Sequence, residues 1–274
     1  VKESSSYTEE YLISKASSGG ASVILKQGEV VNFQRIEQSW IVSVPNVLDK
    51  ILDLCSCFYP YRPQHAVGVT GTNGKTSVVH FLSQLWGGIG HSWATLGTLG
   101  GLSSVADFSF QNFGLTTPDL AGTVRFFHEA YQNAIRYVAI EASSHGLEQK
   151  RLGKGPFEIG IWTNFSQDHL DYHKTFDAYW QAKSLLFDMI TKHAIVHTSV
   201  PGQDHIFEVC RKKKIPVCLY GNSSCPAFYR LIKAHPDGAE VHLQIESFCW
   251  QGKVSLMGLF QYDNLIAALY AVYL

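Results

Sequence analysis

The sequence has almost no net charge, since 22 lysine and arginine residues are balanced by 23 aspartate and glutamate residues. Proteins that bind nucleic acid or an anionic membrane surface through charge usually carry an excess of basic residues. The sequence also lacks any apolar segment of the roughly 18 residues that a membrane-spanning helix needs. The composition therefore indicates neither a nucleic-acid partner nor a membrane partner.

The sequence contains no Cys-x-x-Cys pair, which argues against a zinc site. Six scattered cysteines favour reduced thiols in the cytosol over a disulfide framework. Internal repeats, low-complexity tracts and a signal peptide are also missing, and the polar start at Val1 has no initiator methionine. Because 46% of the residues are hydrophobic, we expect a globular, cytoplasmic protein whose natural chain begins upstream.

What the sequence does contain is a glycine-rich segment, Gly-Thr-Asn-Gly-Lys-Thr, at residues 71–76. It follows an apolar run at residues 65–69 that predicts a buried strand, and it precedes apolar residues at helical spacing. A strand that leads into a helix through such a turn directs backbone N–H groups and the positive end of the helix dipole at one point. Lys75 adds a cation for the outer phosphates, and the Thr76 hydroxyl can bind Mg²⁺.

This segment, called the phosphate loop below, therefore predicts nucleotide binding. Gly71 and Gly74 allow the main chain to approach an anion closely. The strict Walker pattern asks for a further glycine where this chain has Val69. The alternative is an ordinary glycine-rich connection between a strand and a helix.

Beyond the phosphate loop, predicted strands and helices alternate, which is typical of an α/β fold with a mostly parallel sheet and flanking helices. The pattern predicts strands at 137–140, 159–163, 194–197 and 215–219, and helices at 119–133 and 176–190. Thr117 is the predicted N-cap of the first of these helices. The sequence also predicts a loop at 96–101, a hairpin of strands 229–232 and 239–245, and a strand at 253–257.

Residues 1–62 predict a smaller, partial α/β domain, which ends at a proline-containing linker, Tyr-Pro-Tyr-Arg-Pro at 59–63. Its predicted elements are helices at 11–16 and 47–58 and strands at 21–25 and 40–44. So few elements form a thin core. We therefore predict two regions, a partial domain at 1–62 and the main domain at 63–274.

Polar residues follow several predicted strands, at the edge of a parallel sheet where ligands bind. Glu141 ends the strand at 137–140, where its carboxylate could hold Mg²⁺; the alternative is a capping or ion-paired glutamate. The run at 143–151 offers groups for a polar substrate, or forms a solvated loop. His169, Asp171 and His173 alternate and could face a metal or phosphate together, although a histidine is more often a hydrogen-bonded structural residue.

Lys183 lies among apolar residues of the predicted helix at 176–190. A lysine in such surroundings commonly lays its stem along the surface and keeps its ammonium group in water. The residues alone therefore predict a surface position for Lys183.

Five segments, in this order along the chain, resemble the Mur ligases of peptidoglycan synthesis: residues 68–77, 116–119, 141–151, 163–173 and 182–187. Glu-Ala-Ser-Ser-His-Gly-Leu-Glu-Gln-Lys-Arg and Thr-Asn-Phe-Ser-Gln-Asp-His-Leu-Asp-Tyr-His are most similar to the family member that adds the third stem residue. Folylpolyglutamate synthases share the phosphate loop and the central fold but not these two segments.

The resemblance implies an ATP-dependent ligase that adds the third stem amino acid to UDP-N-acetylmuramoyl-L-alanyl-D-glutamate (the UDP-MurNAc-dipeptide). ATP would phosphorylate a substrate carboxylate to an acyl phosphate, which the amine of a free amino acid would attack to give an amide. The sequence leaves open whether that amino acid is meso-diaminopimelate, lysine or another. We expect a monomeric enzyme without nucleic-acid or membrane partners.

The resemblance also implies roles for individual residues. ATP would bind Gly71, Thr72, Asn73, Gly74, Lys75, Thr76 and, through its adenine, Asn264. Thr76 and Glu141 would hold one Mg²⁺, and His169 would hold a second together with Lys183, which in these ligases is carbamylated by CO₂. Lys75, Lys183 and His169 would be catalytic. The UDP-MurNAc-dipeptide would contact Thr116, Thr117, Ser143, Gln149 and Arg151.

The sequence departs from the family pattern at Lys174, where glycine is usual, and at Gln261, where asparagine is usual. The Asp-Ser-Arg motif of the uridine-binding domain and the whole C-terminal domain of the family are missing, so we expect a fragment that is inactive alone. The alternatives are a non-catalytic nucleotide-binding module and another ligase of the Mur or folylpolyglutamate type. We favour the ligase, because a binding module has no need for two metal sites.

Overall fold

A computed structural model describes residues 8–36, 38–106, 108, 110, 114–153, 155–168 and 170–274. The chain forms two compact units, one that ends at Phe58 and one that spans Tyr59–Leu274. Within the described residues, no helix has both the length and the apolar character needed to cross a membrane.

The first unit combines two helices with a small sheet. Its elements are α1 (Glu9–Ser18), β1 (Val23–Gln27), β2 (Asn32–Ile36), β3 (Ser39–Val44) and α2 (Val47–Phe58). β3 lies between the other two strands, parallel to β1 and antiparallel to β2. The sequence analysis missed β2 because most of its residues are exposed, so no alternation of apolar and polar side chains marks the strand.

The second unit is built on a ten-stranded sheet, as far as the structure describes the chain. Its strands are β4 (His65–Thr70), β5 (Trp93–Gly97), β6 (Gly100–Ser103), β7 (Tyr137–Glu141), β8 (Phe157–Trp162), β9 (Ile190–His197), β10 (Val217–Gly221), β11 (Ala227–His235), β12 (Gly238–Ile245) and β13 (Phe248–Val254). The strand order is β13-β12-β11-β10-β9-β8-β4-β7-β5-β6. Strands β5, β7, β4, β8, β9, β10 and β11 pair in parallel, whereas β6, β12 and β13 pair antiparallel. This architecture confirms the predicted α/β fold with a mostly parallel sheet.

Helices cover both faces of this sheet. They are α3 (Lys75–Gly88), α4 (Leu120–Gln132), α5 (Ser144–Glu148), α6 (Leu170–His173), α7 (Phe176–Asp188), α8 (Gln203–Lys212) and α9 (Leu259–Tyr273). Alternate residues of β4 face opposite sides of a strand, so Ala66 packs in one apolar cluster and Val67 in the other. The first cluster contains side chains of α4, α7 and α8, and the second contains side chains of α3 and α9. Two cores therefore hold the central strands between them.

Several local predictions were wrong. Residues 96–101, predicted as a loop from their glycines, belong to a hairpin in which β5 and β6 pair antiparallel. Asp119, not Thr117, caps α4, because its carboxylate accepts a hydrogen bond from the Gly122 N–H at 2.7 Å. The polar run after Glu141 contains the short helix α5, capped by Ser143. The strand predicted at 253–257 is β13, which begins five residues earlier and ends at Val254.

The sequence analysis did not find α8, which has a polar sequence and buries only Ile206 and Cys210. So few buried positions leave little hydrophobic periodicity to detect. Residues of the predicted linker pack within the second unit. The rings of Tyr59 and Tyr61 lie 5.5 and 5.6 Å from the ring of His128 on α4.

Candidate active site

The phosphate loop connects the carboxyl end of β4 to the first residue of α3, Lys75. Gly74 is the N-cap of this helix and has a φ of 85°. Only glycine adopts this backbone region readily, and glycine has no side chain to occupy the N–H groups of the first helical turn. The turn therefore presents backbone donors and the positive end of the helix dipole to an anion, as predicted for a phosphate site.

The segment after β8 holds the phosphate loop in place. Asn164 bonds both sides of the loop, because its side-chain carbonyl accepts from Asn73 N–H at 2.9 Å and its amide donates to the Asn73 carbonyl at 2.9 Å. The Thr72 hydroxyl accepts from Ser166 N–H at 3.0 Å. Thr163 lies so close to Gly71 that a Cβ there would overlap its hydroxyl. The sequence analysis did not predict this supporting role.

Two lysines meet beneath the loop. The Lys75 ammonium group donates to the carbonyls of Gly71 and Thr72, both at 2.9 Å. Lys183 donates to the same Gly71 carbonyl at 2.8 Å, and its Nζ lies 4.4 Å from the centre of the Tyr179 ring. Because Lys183 is only 1% exposed, the surface position predicted from its apolar neighbours is wrong.

Burial changes the charge balance of these two side chains. Desolvation lowers the pKa of Lys75, while the carboxylates of Glu141 and Asp168 oppose this fall. Desolvation, with a smaller effect of the Lys75 charge, lowers the pKa of Lys183 to about 6. Lys183 is therefore mostly an uncharged amine at neutral pH.

Glu141 lies beside the phosphate loop at the end of β7 and is 1% exposed. The Thr76 hydroxyl donates to its Oε2 at 2.9 Å. A carboxylate and a hydroxyl oxygen are the hard donors that Mg²⁺ prefers. These two residues therefore fit the metal role that the resemblance implies for them.

His169 lies outside the described residues, and its role stays a prediction. The proposed alternation of His169, Asp171 and His173 is wrong for His173, because residues from Leu170 onward form α6. On a helix, residues two apart point in different directions. The His173 ring is buried, with Nε2 3.0 Å from the Ser144 hydroxyl. Within the described part of the chain, no group of three or more His, Cys, Asp or Glu residues could hold a metal ion.

The structure also brings together the residues predicted to contact the substrate. The Thr117 hydroxyl donates to the Glu141 carbonyl at 2.7 Å and accepts from Ser143 N–H at 3.0 Å. Arg151 donates to the Thr117 carbonyl at 3.0 Å and to Oε1 of Gln149 at 2.7 Å. These side chains form one hydrogen-bonded network at the carboxyl end of β7.

Asn264 borders the phosphate loop from α9. It is 4% exposed, and a Cβ on Gly74 would overlap its amide group. Its amide nitrogen donates to Gln261 Oε1 at 3.1 Å. The structure therefore places Asn264 next to the start of α3.

Two further residues of this region were missed by the sequence analysis. Thr98, in the turn of the β5–β6 hairpin, donates from its backbone N–H to Glu141 Oε1 at 2.8 Å. Tyr179 donates from its hydroxyl to the Thr72 hydroxyl at 3.3 Å. A signal existed for Tyr179 alone, because it precedes Lys183 by four residues and therefore shares its helix face.

Comparisons with known proteins agree with this geometry. A family model for the Mur ligase middle domain matches residues 69–272. The UDP-N-acetylmuramoyl-L-alanyl-D-glutamate--2,6-diaminopimelate ligase of Rickettsia bellii (strain RML369-C) is 34% identical over 244 residues, which are 85% of this chain and 50% of that protein. A solved structure of a ligase with that name has a TM-score of 0.74 at 26% identity and covers 87% of this chain and 49% of its own.

The MurF ligase of Thermotoga maritima, solved in complex with ADP, is similar in fold, with a TM-score of 0.58 at 16% identity. This likeness covers 97% of the present chain and 58% of that ligase. The chain spans about half the length of the curated relatives it matches. Because the family model matches most of the sequence, this chain belongs to the Mur ligase family.

Proposed function

We propose that this chain is the nucleotide-binding part of an ATP-dependent ligase that adds the third stem amino acid to the UDP-MurNAc-dipeptide in peptidoglycan synthesis. The observation that carries this proposal is the meeting of three groups at one sheet edge: the phosphate loop, the Glu141 carboxylate and the Thr117 network. Since the Rickettsia bellii relative is named for 2,6-diaminopimelate, we propose that amino acid. Residues 63–274 would form the ATP-binding domain, and residues 1–62 would form part of the domain that binds the UDP substrate.

ATP would place its phosphates against the N–H groups of the phosphate loop and the start of α3. Lys75, which now donates to two loop carbonyls, lies where it can turn its ammonium group to phosphate oxygens. Asn264, beside Gly74, would contact the adenine. Mg²⁺, when held by Thr76 and Glu141, would neutralise phosphate charge as it does in other phosphoryl transfers.

Lys183 would carry a carbamate. Its uncharged amine can attack CO₂, which forms an N–C bond, and the loss of one N–H proton leaves an anionic carbamate. The low pKa of Lys183 supports this step, because a protonated ammonium group has no electron pair for the attack. Lys75, which shares the Gly71 carbonyl, would stabilise the new anion. His169 and the carbamate would then hold a second Mg²⁺.

The UDP-MurNAc-dipeptide would bind along Thr116, Thr117, Ser143, Gln149 and Arg151. Arg151 suits a carboxylate of this substrate, because its planar guanidinium group is held in one orientation by Gln149 and the Thr117 carbonyl. The substrate carboxylate would attack the γ-phosphorus of ATP to give an acyl phosphate and ADP. The diaminopimelate amine would then attack the acyl carbon, with release of phosphate and formation of the amide.

The test uses the full-length gene product that contains this chain. With ATP, Mg²⁺ and the UDP-MurNAc-dipeptide, we expect mass spectrometry to detect the tripeptide product with 2,6-diaminopimelate and not with lysine. A product with lysine alone would correct the amino acid. ATP binding without any amide product would support instead a nucleotide-binding module without catalysis.

A further inference from the structure

We propose that Thr98 positions the Glu141 carboxylate for metal binding and couples it to the state of Thr116 in the substrate network. This inference rests on the proposed function, because it concerns the metal that Glu141 would hold. Thr98 does not touch the phosphate loop or the reacting groups in any contact described above. We therefore assign it a positioning role and not a catalytic one.

The hairpin that contains Thr98 approaches Glu141 very closely. Gly97 ends β5, and a Cβ at this position would overlap the Glu141 carboxylate. Only a residue without a side chain permits this approach. The backbone of the turn therefore lies directly against the buried carboxylate.

Thr98 contacts both oxygens of that carboxylate. Its backbone N–H donates to Oε1 at 2.8 Å, and its hydroxyl donates to Oε2 at 3.2 Å. Two donors on different oxygens fix the plane of a carboxylate, whereas one donor leaves it free to rotate. Thr76 also donates to Oε2, but a metal held between Thr76 and Glu141 would displace this hydrogen bond. Thr98 would then remain as the residue that holds the carboxylate in place.

The Thr98 hydroxyl also connects Glu141 to the substrate network. Its oxygen lies 3.2 Å from the Thr116 hydroxyl. A hydroxyl has one proton, and Thr98 gives its proton to Glu141, so Thr116 must be the donor to Thr98. A ligand that accepts the Thr116 proton would remove this donor from Thr98. Binding at Thr116 and metal binding at Glu141 are therefore coupled, and the coupling acts in both directions.

The test measures Mn²⁺, a spectroscopic substitute for Mg²⁺, on the 274-residue chain saturated with ADP. Electron paramagnetic resonance of free Mn²⁺ gives its affinity for wild type, T98V, T98S and T116V. T98V keeps the backbone donor but removes the hydroxyl, and we expect its Mn²⁺ affinity to fall about tenfold, as for a lost hydrogen bond to a charged group. T98S keeps the hydroxyl and should restore most of that affinity. T116V should cause a smaller loss, because it removes only the donor to Thr98.

A matched control is T123V. The Thr123 hydroxyl is buried on α4 and has no hydrogen-bond partner among the described residues, so its removal should leave Mn²⁺ affinity unchanged. ADP affinity without metal should be the same in all five proteins, since the phosphate loop is intact in each.

Three results would overturn the inference alone: wild-type Mn²⁺ affinity in T98V, a loss in T98S as large as in T98V, or an equal loss of metal-free ADP affinity in T98V. The last result would mean that the substitution distorts the loop. If T98V does not fold, wild-type Mn²⁺ affinity in T116V would overturn the coupling. If the wild-type chain binds no ADP, the proposed function is wrong, and this inference with it.

Discussion

Two lysines of the second unit show what burial does to the same side chain. Lys183 is 1% exposed, lies against the phosphate loop, and has a pKa lowered to about 6. The side chain of Lys253, on β13, is 47% exposed and pairs with Asp237 at 2.7 Å. Such a surface pair usually contributes little to stability. Burial among backbone carbonyls, rather than the number of charged residues, therefore gives the carboxyl edge of the sheet its chemistry.

Alanine at Lys183 should have the largest effect of any substitution that tests this comparison. In the full-length enzyme we expect K183A to lower turnover by at least about 100-fold, as when a group that stabilises transition-state charge is lost. Acetate or formate should restore part of the activity, because a small carboxylate can supply the anion that the carbamate would provide. The rate of tripeptide formation measures both effects, and K253A is the control. Undiminished activity in K183A would refute the carbamate.

Alanine at Lys75 should weaken nucleotide binding rather than remove a covalent modification. We expect K75A to lose about 1.5–3 kcal/mol of ATP affinity, the usual contribution of a hydrogen bond to a charged group. Titration of the 274-residue chain with a fluorescent ATP analogue measures this loss, again with K253A as the control. Equal affinities of wild type and K75A would mean that the phosphate loop has only a structural role.

The low pKa of Lys183 should also make stability depend on pH. Between a pKa of about 6 in the folded chain and the ordinary lysine value of 10.5, the unfolded chain binds a proton that the folded chain does not. The free energy of unfolding should therefore rise with pH across this window, by up to about 1.4 kcal/mol per pH unit from this one group. K183M removes the group and should lack this part of the rise.

Urea unfolding of wild type and K183M at several pH values between 6 and 9, in CO₂-free buffer, measures the difference in slope. Parallel stability curves for the two proteins would show that Lys183 titrates alike in the folded and unfolded chains. Its pKa would then be ordinary, and the support for carbamylation would be lost.

The smallest effect is expected at the exposed lysine. K253A should leave the melting temperature and the ATP affinity of the chain unchanged within error, because the pair with Asp237 lies in water and is screened by salt. Thermal unfolding followed by circular dichroism measures the first quantity. A clear loss of stability would show that exposure alone does not separate the two lysines.

The phosphate loop and the order of strands and helices could be predicted, because both are marked by local patterns: glycines at a turn and periodic apolar residues. The burial of Lys183 could not. Apolar neighbours on a helix fit both a surface lysine and a buried one, and only the packing of α7 beneath the phosphate loop separates these cases. The family resemblance, not the physical pattern, gave the correct indication for this residue.

Residues that act across the sheet were harder to predict. Thr98 lies 43 positions from Glu141 in the sequence, and its contact depends on the pairing of β5 with β7. Likewise, Thr163 and Asn164 support the phosphate loop because β8 lies beside β4. The glycines at 97 and 100 indicate a turn but not what it approaches. Such contacts become visible only when the strand order is known.

The most direct test of the account asks whether the phosphate loop and Glu141 form a single MgATP site. Calorimetric titration of the 274-residue chain with ADP, with and without Mg²⁺, should be compared with the same titrations of E141A. The account predicts that Mg²⁺ tightens ADP binding to wild type, whereas E141A binds ADP as wild type does without the metal and gains nothing from it. Equal tightening by Mg²⁺ in both proteins, or no ADP binding by wild type, would contradict the account.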